Sequence, residues 1–128
     1  MLQEISLGLN VVFKGTFSRS ETVRILGDID VMVIPSTWYE NSPLILLQSL
    51  ATHTPCIVSN VEGMTEFVEE GTNGFHFTRG SEEDLYVKMQ NFVSDRFLAQ
   101  RLSLTTSYER TAFDMARDVD KMYSDYVS

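Results

Sequence analysis

The chain has 128 residues, of which 43% are hydrophobic and 22% charged, and 18 acidic residues against 10 basic ones give it a net charge of −8. That length fits one domain able to bury roughly two-thirds of its unfolded surface. The acidic balance argues against a nucleic-acid backbone as partner, while leaving room for a small phosphorylated ligand at a locally positive site. No apolar run approaches the roughly 20 residues of a membrane helix, and the start "MLQEISLGLN" lacks the basic and apolar regions of a signal peptide, so a cytoplasmic location is expected. Cys56 is the single cysteine, which rules out an intrachain disulfide and a cysteine metal cluster and reads as a small buried filler.

In chain order, "NVVFKGTF" reads as a first strand: Val11, Val12 and Phe13 are β-formers and Gly15 ends the run. "SRSETVRILGDI" reads as a short helix capped by Ser18 or Ser20, with Val23, Leu26 and Ile29 at helical spacing. "DVMVIPS" is a second strand, apolar on both faces as in the centre of a helix-covered parallel sheet, and Pro35 stops it. "NSPLILLQSLATHT" is a helix with Ser42 as N-cap and Pro43 in its first turn, where proline sacrifices no hydrogen bond. "PCIVSN" is a third strand, "MTEFVEE" a short helix ended by Gly71, and "NGFHFT" a turn and a fourth strand.

The remainder is helical. "SEEDLYVKMQNFVSD" opens on Ser81 and three acids, with Leu85, Met89, Phe92 and Val93 as its apolar stripe. "RFLAQRLSLTTSYER" is a further helix, and "TAFDMARDVDKMYSDYV" another, with Phe113, Ala116, Val119, Tyr123 and Tyr126 on one face. This alternation specifies an α/β, Rossmann-like open parallel sheet of about four strands flanked by helices. One domain spans residues 1–128, with a core of about 10–95 and a helical tail over 96–128.

Ligands of open parallel sheets bind beyond the carboxyl ends of the strands. Glu40 follows the second strand and so belongs to that edge. The helix start at residues 41–43 offers backbone N–H groups without internal partners, which favour an anion near the amides of Leu44 and Ile45. Gln48 lies on the same helix face as Leu44 and leans back toward the helix start. A buried amide without a hydrogen-bond partner costs roughly 1–3 kcal/mol, which a hydroxyl-rich ligand would relieve. An anion site between two hydroxyl-binding groups suits a nucleotide sugar. The plainer alternative is a solvated Glu40 and a Gln48 bonded to a neighbouring backbone carbonyl.

The run "DVMVIPSTWYENSPLILLQSLATHTPCIVSNVEGMTEFVEEGTNGFHF" resembles the C-terminal, donor-binding domain of the retaining glycosyltransferases of family four, of GT-B fold. Pro35-Ser36, Glu40, Pro55, Gly63, Glu66, Gly71 and Gly74 fall in step with that family's pattern. The resemblance implies that Glu40, the catalytic-site carboxylate, contacts the donor-sugar hydroxyls. It implies that Asn41, Ser42, Pro43, Leu44 and Ile45 meet sugar and diphosphate, that Gln48 holds the ribose, and that Thr16 and Phe17 lie near the base. Gly63 would permit a tight turn, and Glu66 would be a helix-start acid. No metal and no cofactor are implied, the nucleotide sugar being a substrate.

Two departures accompany the resemblance. The family's second motif Glu is Gln48 here, an uncharged amide whose bond to a hydroxyl is weaker than a carboxylate's. The small residue and Gly expected before Pro55 are His53-Thr54, with His53 read as a helix C-terminal cap or cation. His76 reads as structural. The family's Arg and Lys that neutralise the diphosphate have no counterpart, Lys14 and Arg19 being the only basic residues nearby and unfit for that role. The chain is thus expected to be a fragment of a GT-B C-terminal domain, weakly active or inactive alone, its acceptor bound through a missing N-terminal domain. Further expectations are self-association through the C-terminal helix and peripheral membrane association of the parent enzyme. The rival reading is a non-catalytic module with a degenerate donor site, used for scaffolding or oligomer contact. A dinucleotide-binding domain is excluded, since no G-x-G-x-x-G follows any strand.

Overall fold

The computed structural model describes residues 8–37 and 44–108, together with Asp114, Arg117, Asp120, Lys121, Ser124 and Asp125, which are helical. Phe113, Ala116, Val119, Tyr123 and Tyr126, the expected apolar stripe of the last helix, lie outside the described residues. The elements are α1 (Thr22–Gly27, preceded by a 3₁₀ turn at Arg19–Glu21), β1 (Met32–Ile34), α2 (Leu44–Ala51), β2 (Cys56–Ser59), β3 (Gly74–Phe77), α3 (Glu82–Ser94) and α4 (Leu98–Thr105).

Three strands form one sheet in the order β1-β2-β3. Both pairings are parallel, with Val33 opposite Ile57 and Ile57 opposite Phe75. β2 is central and buried at every position. Its alternate residues serve opposite faces. Cys56 and Val58 pack with Leu46 and Leu50 of α2, and with Val61, Met64 and Val68. Ile57 shares the other face with Phe75, whose ring meets Phe92 of α3 edge-on at 5.7 Å. The sheet is therefore covered on both sides, which is why its strands read as unbroken apolar runs.

Several expectations are corrected. The first predicted strand does not join the sheet: among the described residues there are three strands, not four. Val11, Val12 and Phe13 are 50%, 69% and 47% exposed. β-Propensity expresses fit to a pleated, half-buried surface, and without a partner edge a strand-forming sequence has nothing to fit. In consequence β1 is an edge strand and not a central one, and two of its three residues are only half-buried.

The helix expected at "MTEFVEE" is a series of turns, with Met64 N–H donating to Val61 O at 3.1 Å and Phe67 N–H to Met64 O at 3.1 Å. Asn73 explains the difference. Its Oδ1 accepts from Glu69 N–H at 2.8 Å and its Nδ2 donates to Phe67 O at 2.9 Å, capturing backbone groups that a helix would need. A segment this short does not offset the cost of helix nucleation against such competition. Val61, Met64 and Val68 are nonetheless buried, so the helical spacing of the apolar residues survives as a plug over the sheet.

α1 buries Leu26 fully but leaves Val23 71% exposed, so the predicted three-residue stripe is narrower than its spacing suggested. Ser18 does act at the start of this segment: the carboxylate of Glu21 accepts from Ser18 N–H at 3.0 Å, one arm of a capping box. α3 begins as expected. Ser81 Oγ accepts from Asp84 N–H at 3.1 Å, and Glu82, Glu83 and Asp84 occupy the first turn. Of its predicted stripe, Phe92 packs on the sheet, whereas Met89 and Val93 are 46% and 73% exposed.

Candidate functional site

The parallel strands present their carboxyl ends together. β1 runs out through Pro35, Ser36 and Thr37, β2 into Asn60, and β3 into Thr78 and Arg79. Between the last two lies an open cavity of about 490 Å³ lined by Asn60, Val61, Glu62, Thr78 and Arg79. Its frame is fixed by hydrogen bonds from backbone N–H groups to carbonyl and side-chain oxygens. Asn60 N–H donates to Phe77 O at 2.9 Å, while Asn60 Oδ1 accepts from Arg79 N–H at 2.8 Å. Thr78 N–H donates to Asp84 Oδ2 at 2.6 Å, and Ser81 N–H donates to Thr78 O at 2.9 Å, which ties the loop after β3 to the start of α3. Hydrogen bonds from the Thr78 N–H and the Thr78 side chain, with a further pull from Lys88, hold the Asp84 carboxyl below the usual aspartate range.

Arg79 was missed by the sequence reading. Its guanidinium Nη1 donates to Thr37 O at 3.5 Å, at the long limit of a hydrogen bond, so the side chain crosses the end of β2 toward the loop after β1. Lys14 and Arg19 are therefore not the only basic residues to consider, because Arg79 stands at the strand ends themselves. The signal that would have found it is positional: it is the second residue beyond the end of a parallel strand. Asn60, directly after β2, carries the same signal.

Of the predicted site residues, Glu40, Asn41, Ser42 and Pro43 lie outside the described residues. Leu44 opens the described part of α2 and is half-exposed. Ile45 is half-buried against the core, and its carbonyl accepts from Ser49 Oγ at 2.8 Å. Gln48 is half-buried on the same helix. Its backbone carbonyl accepts from Thr52, but its side-chain amide bonds no group among the described residues. The alternative in which that amide satisfies a backbone carbonyl is thus not what the described residues adopt. Thr16 and Phe17 are exposed on the unpaired segment before α1, and neither lines the cavity.

The remaining polar residues of the motif are structural. His53 follows α2 with φ of 61°, a left-handed conformation that costs a non-glycine residue about 1–2 kcal/mol. Its Nδ1 lies 2.6 Å from Thr106 O; since a carbonyl only accepts, Nδ1 carries the proton. His53 thus caps the helix as expected, and its ring fastens the end of α4. His76 is bound at both ends, its N–H to Glu70 and its Nε2 to Val68 O. Gly63 turns with φ of 93°, and Glu66 is exposed. Cys56 is fully buried, which pushes its thiol up to about 12 and makes it inert as a nucleophile. Among the described residues no group of three or more His, Cys, Asp or Glu side chains is placed to hold a metal, and no helix is long and apolar enough to cross a membrane.

Comparison with known proteins places this arrangement. The sulfoquinovosyl transferase of Arabidopsis thaliana is 25% identical over 130 residues, covering 99% of this chain and 25% of that protein. An Escherichia coli enzyme, UDP-Gal:alpha-D-GlcNAc-diphosphoundecaprenol alpha-1,3-galactosyltransferase, is 28% identical over 109 residues, covering 85% of this chain and 28% of its own length. Among solved structures, the sucrose-phosphate synthase of Thermosynechococcus elongatus superposes with a TM-score of 0.71 at 24% identity, over 97% of this chain and 33% of that one. HepE of Anabaena, determined in complex with UDP, superposes with a TM-score of 0.59 at 18% identity, over 80% of this chain and 29% of that one. The chain therefore spans about a quarter to a third of the length of these relatives, and its fold is that of a GT-B C-terminal domain. The family model described as Glycosyl transferases group 1 matches residues 1–107, and the chain belongs to that family.

Proposed function

We propose that the chain is the donor-binding part of a retaining glycosyltransferase of the family-four type. The parent enzyme moves a glycosyl group from a nucleotide-diphosphate sugar to an acceptor hydroxyl. The acceptor oxygen bonds to the anomeric carbon as the bond from that carbon to the diphosphate breaks. The electron pair of the broken bond leaves on the phosphate oxygen, and the acceptor's proton passes to the departing diphosphate or to water. Stabilising the charge on that leaving group is a large part of such catalysis. The reading needs no metal and no cofactor beyond the nucleotide sugar.

The observation that carries it is the cavity of about 490 Å³ at the carboxyl ends of β2 and β3, at the edge where a parallel sheet receives its ligand. The amide of Gln48, which bonds no group among the described residues, supports it. So do the names of two similar proteins, one acting on a UDP sugar and one captured with UDP. In this reading Glu40 orients the sugar, a positioning role. The backbone of Asn41, Ser42, Pro43, Leu44 and Ile45 meets sugar and diphosphate, Gln48 holds the ribose, and Thr16 and Phe17 approach the base. The acceptor binds through a further domain of a cytoplasmic parent enzyme that associates peripherally with a membrane, and the last helix mediates self-association when that domain is absent.

Calorimetric titration of nucleoside diphosphates and their sugars tests the reading. The chain binds at least one of them, and Gln48→Ala weakens that binding about tenfold, the equivalent of one hydrogen bond. Gln48→Glu restores the charge and tightens binding. Failure of every nucleoside diphosphate to bind contradicts the reading. The departures at Gln48 and His53 favour a second reading, a non-catalytic module kept for scaffolding or oligomer contact. It wins where the parent protein turns over no nucleotide sugar and Gln48→Glu changes nothing.

A further inference from the structure

Arg79 presents an unusual combination of a fixed backbone and an uncommitted charge. Its N–H is held by Asn60 Oδ1, Asn60 N–H is in turn held by Phe77 O, and the preceding Thr78 is tied to Asp84 through its N–H and to Ser81 through its carbonyl. The guanidinium at the end of this braced loop takes part in no ion pair among the described residues, where the pairs are Arg24–Glu21, Arg101–Asp95 and Arg117–Asp114. Among the described residues its one hydrogen bond is the 3.5 Å approach to Thr37 O. Glu62 lines the same cavity yet does not come within ion-pair distance of it. In a chain with a net charge of −8, a cation without an ion-pair partner among the described residues makes the mouth of that cavity locally positive.

A guanidinium is a planar fork of donors matched to two oxygens of one phosphate, and it does not lose its charge. Its contact at Thr37 O places it beside the loop that leads from β1 toward α2. We propose that Arg79 binds the diphosphate of the nucleotide sugar. This inference rests on the function proposed above and adds to it the cation that the sequence reading found missing. The same chemistry exists on a diphosphate-bearing lipid acceptor, so the two sources are separated in the test.

The experiment uses the full 128-residue chain and titrates UDP, GDP and ADP, the matching nucleosides, and a short-chain prenyl diphosphate. Arg79→Gln weakens nucleoside diphosphate binding about tenfold or more and leaves nucleoside binding unchanged, as loss of a charge-assisted pair requires. Arg79→Lys recovers part of the loss, since it keeps the charge but not the fork. The affinity of the unaltered chain falls with added salt more steeply than that of Arg79→Gln. Arg96→Gln removes the same charge at the opposite edge of the sheet and stays within about twofold of the unaltered chain. Thermal melts of all variants coincide, because the loop is held by backbone groups and not by the guanidinium. Equal nucleoside diphosphate affinity in Arg79→Gln overturns this inference and leaves the proposed function standing. A loss confined to the prenyl diphosphate overturns the assignment to the donor. An unaltered chain that binds no nucleoside diphosphate overturns both.

Discussion

The two edges of the sheet each carry a cavity lined by polar residues, and they differ in how far those residues are engaged within the protein. At the amino edge, a cavity of about 670 Å³ is lined by residues that include Asp30, His53, Thr54 and Arg96. It is larger than the cavity at the carboxyl edge, but several of its polar groups are occupied within the protein. Thr54 Oγ1 donates to Leu26 O at 3.0 Å, the His53 ring engages Thr106 O, and Thr52 Oγ1 bonds both Ser49 O and Thr54 Oγ1. At the carboxyl edge the backbone groups are paired, while the Arg79 guanidinium is left without a firm partner among the described residues. Under the proposed function, cavity volume alone would choose the wrong edge. Unused hydrogen-bonding capacity on a braced frame is the better guide, because such capacity is costly unless water or a ligand meets it.

If that contrast is right, substitutions at the amino edge affect stability, and those at the carboxyl edge affect binding. The largest effect is expected for Gly74→Ala, at the amino end of β3. An added Cβ would stand 1.8 Å from Cys56 O and 2.9 Å from Cys56 C, both backbone atoms of the central strand. The expected loss is about 3 kcal/mol or more, seen by circular dichroism as a melting temperature lower by roughly 10 °C. A neutral result would mean that β2 and β3 are not packed as described.

Thr54→Val comes next. Thr54 is 2% exposed, and removing its hydroxyl leaves Leu26 O without that donor. A loss of about 1–2 kcal/mol is expected in urea denaturation, with nucleotide affinity unchanged. A weakened affinity without loss of stability would reverse the roles of the two edges.

The smallest effect concerns pH. The Asp84 carboxylate is held below its usual range chiefly by the Thr78 N–H, so the stability it contributes is present above the ordinary aspartate value and is lost as pH falls through its lowered folded value. Asp84→Asn should therefore lower the neutral plateau slightly and flatten the acid limb of a stability profile, the two profiles converging at low pH. An unchanged acid limb would show that the loop bearing Arg79 is braced by other groups.

The sequence made the buried parts legible and the conditional parts not. Cys56–Ser59 is apolar on both faces because both faces are covered, and the strand is where its residues indicate. Ser81 followed by three acids specifies a helix start through short-range bonds, so α3 begins where expected. Val11 to Phe13 have equally strong strand character, but a strand is completed by a neighbour that the local sequence does not reveal. The turns over 61–68 depend on Asn73, several residues downstream, whose amide diverts two backbone groups. The carboxyl edge was legible as the common end of successive parallel strands, and α2 as the helix that follows β1. The place of Arg79 beside the loop after β1 was not, because it arises from the strand order, which brings the ends of β1, β2 and β3 side by side.

The most direct test is nuclear magnetic resonance of the isotopically labelled chain during titration with a nucleoside diphosphate. The account predicts that amide and side-chain signals of Gln48, Asn60, Thr78 and Arg79 move together, while those of Gly27, His53 and Thr54 stay in place. Movement centred on the amino-edge residues, or no movement at saturating nucleotide, would contradict it.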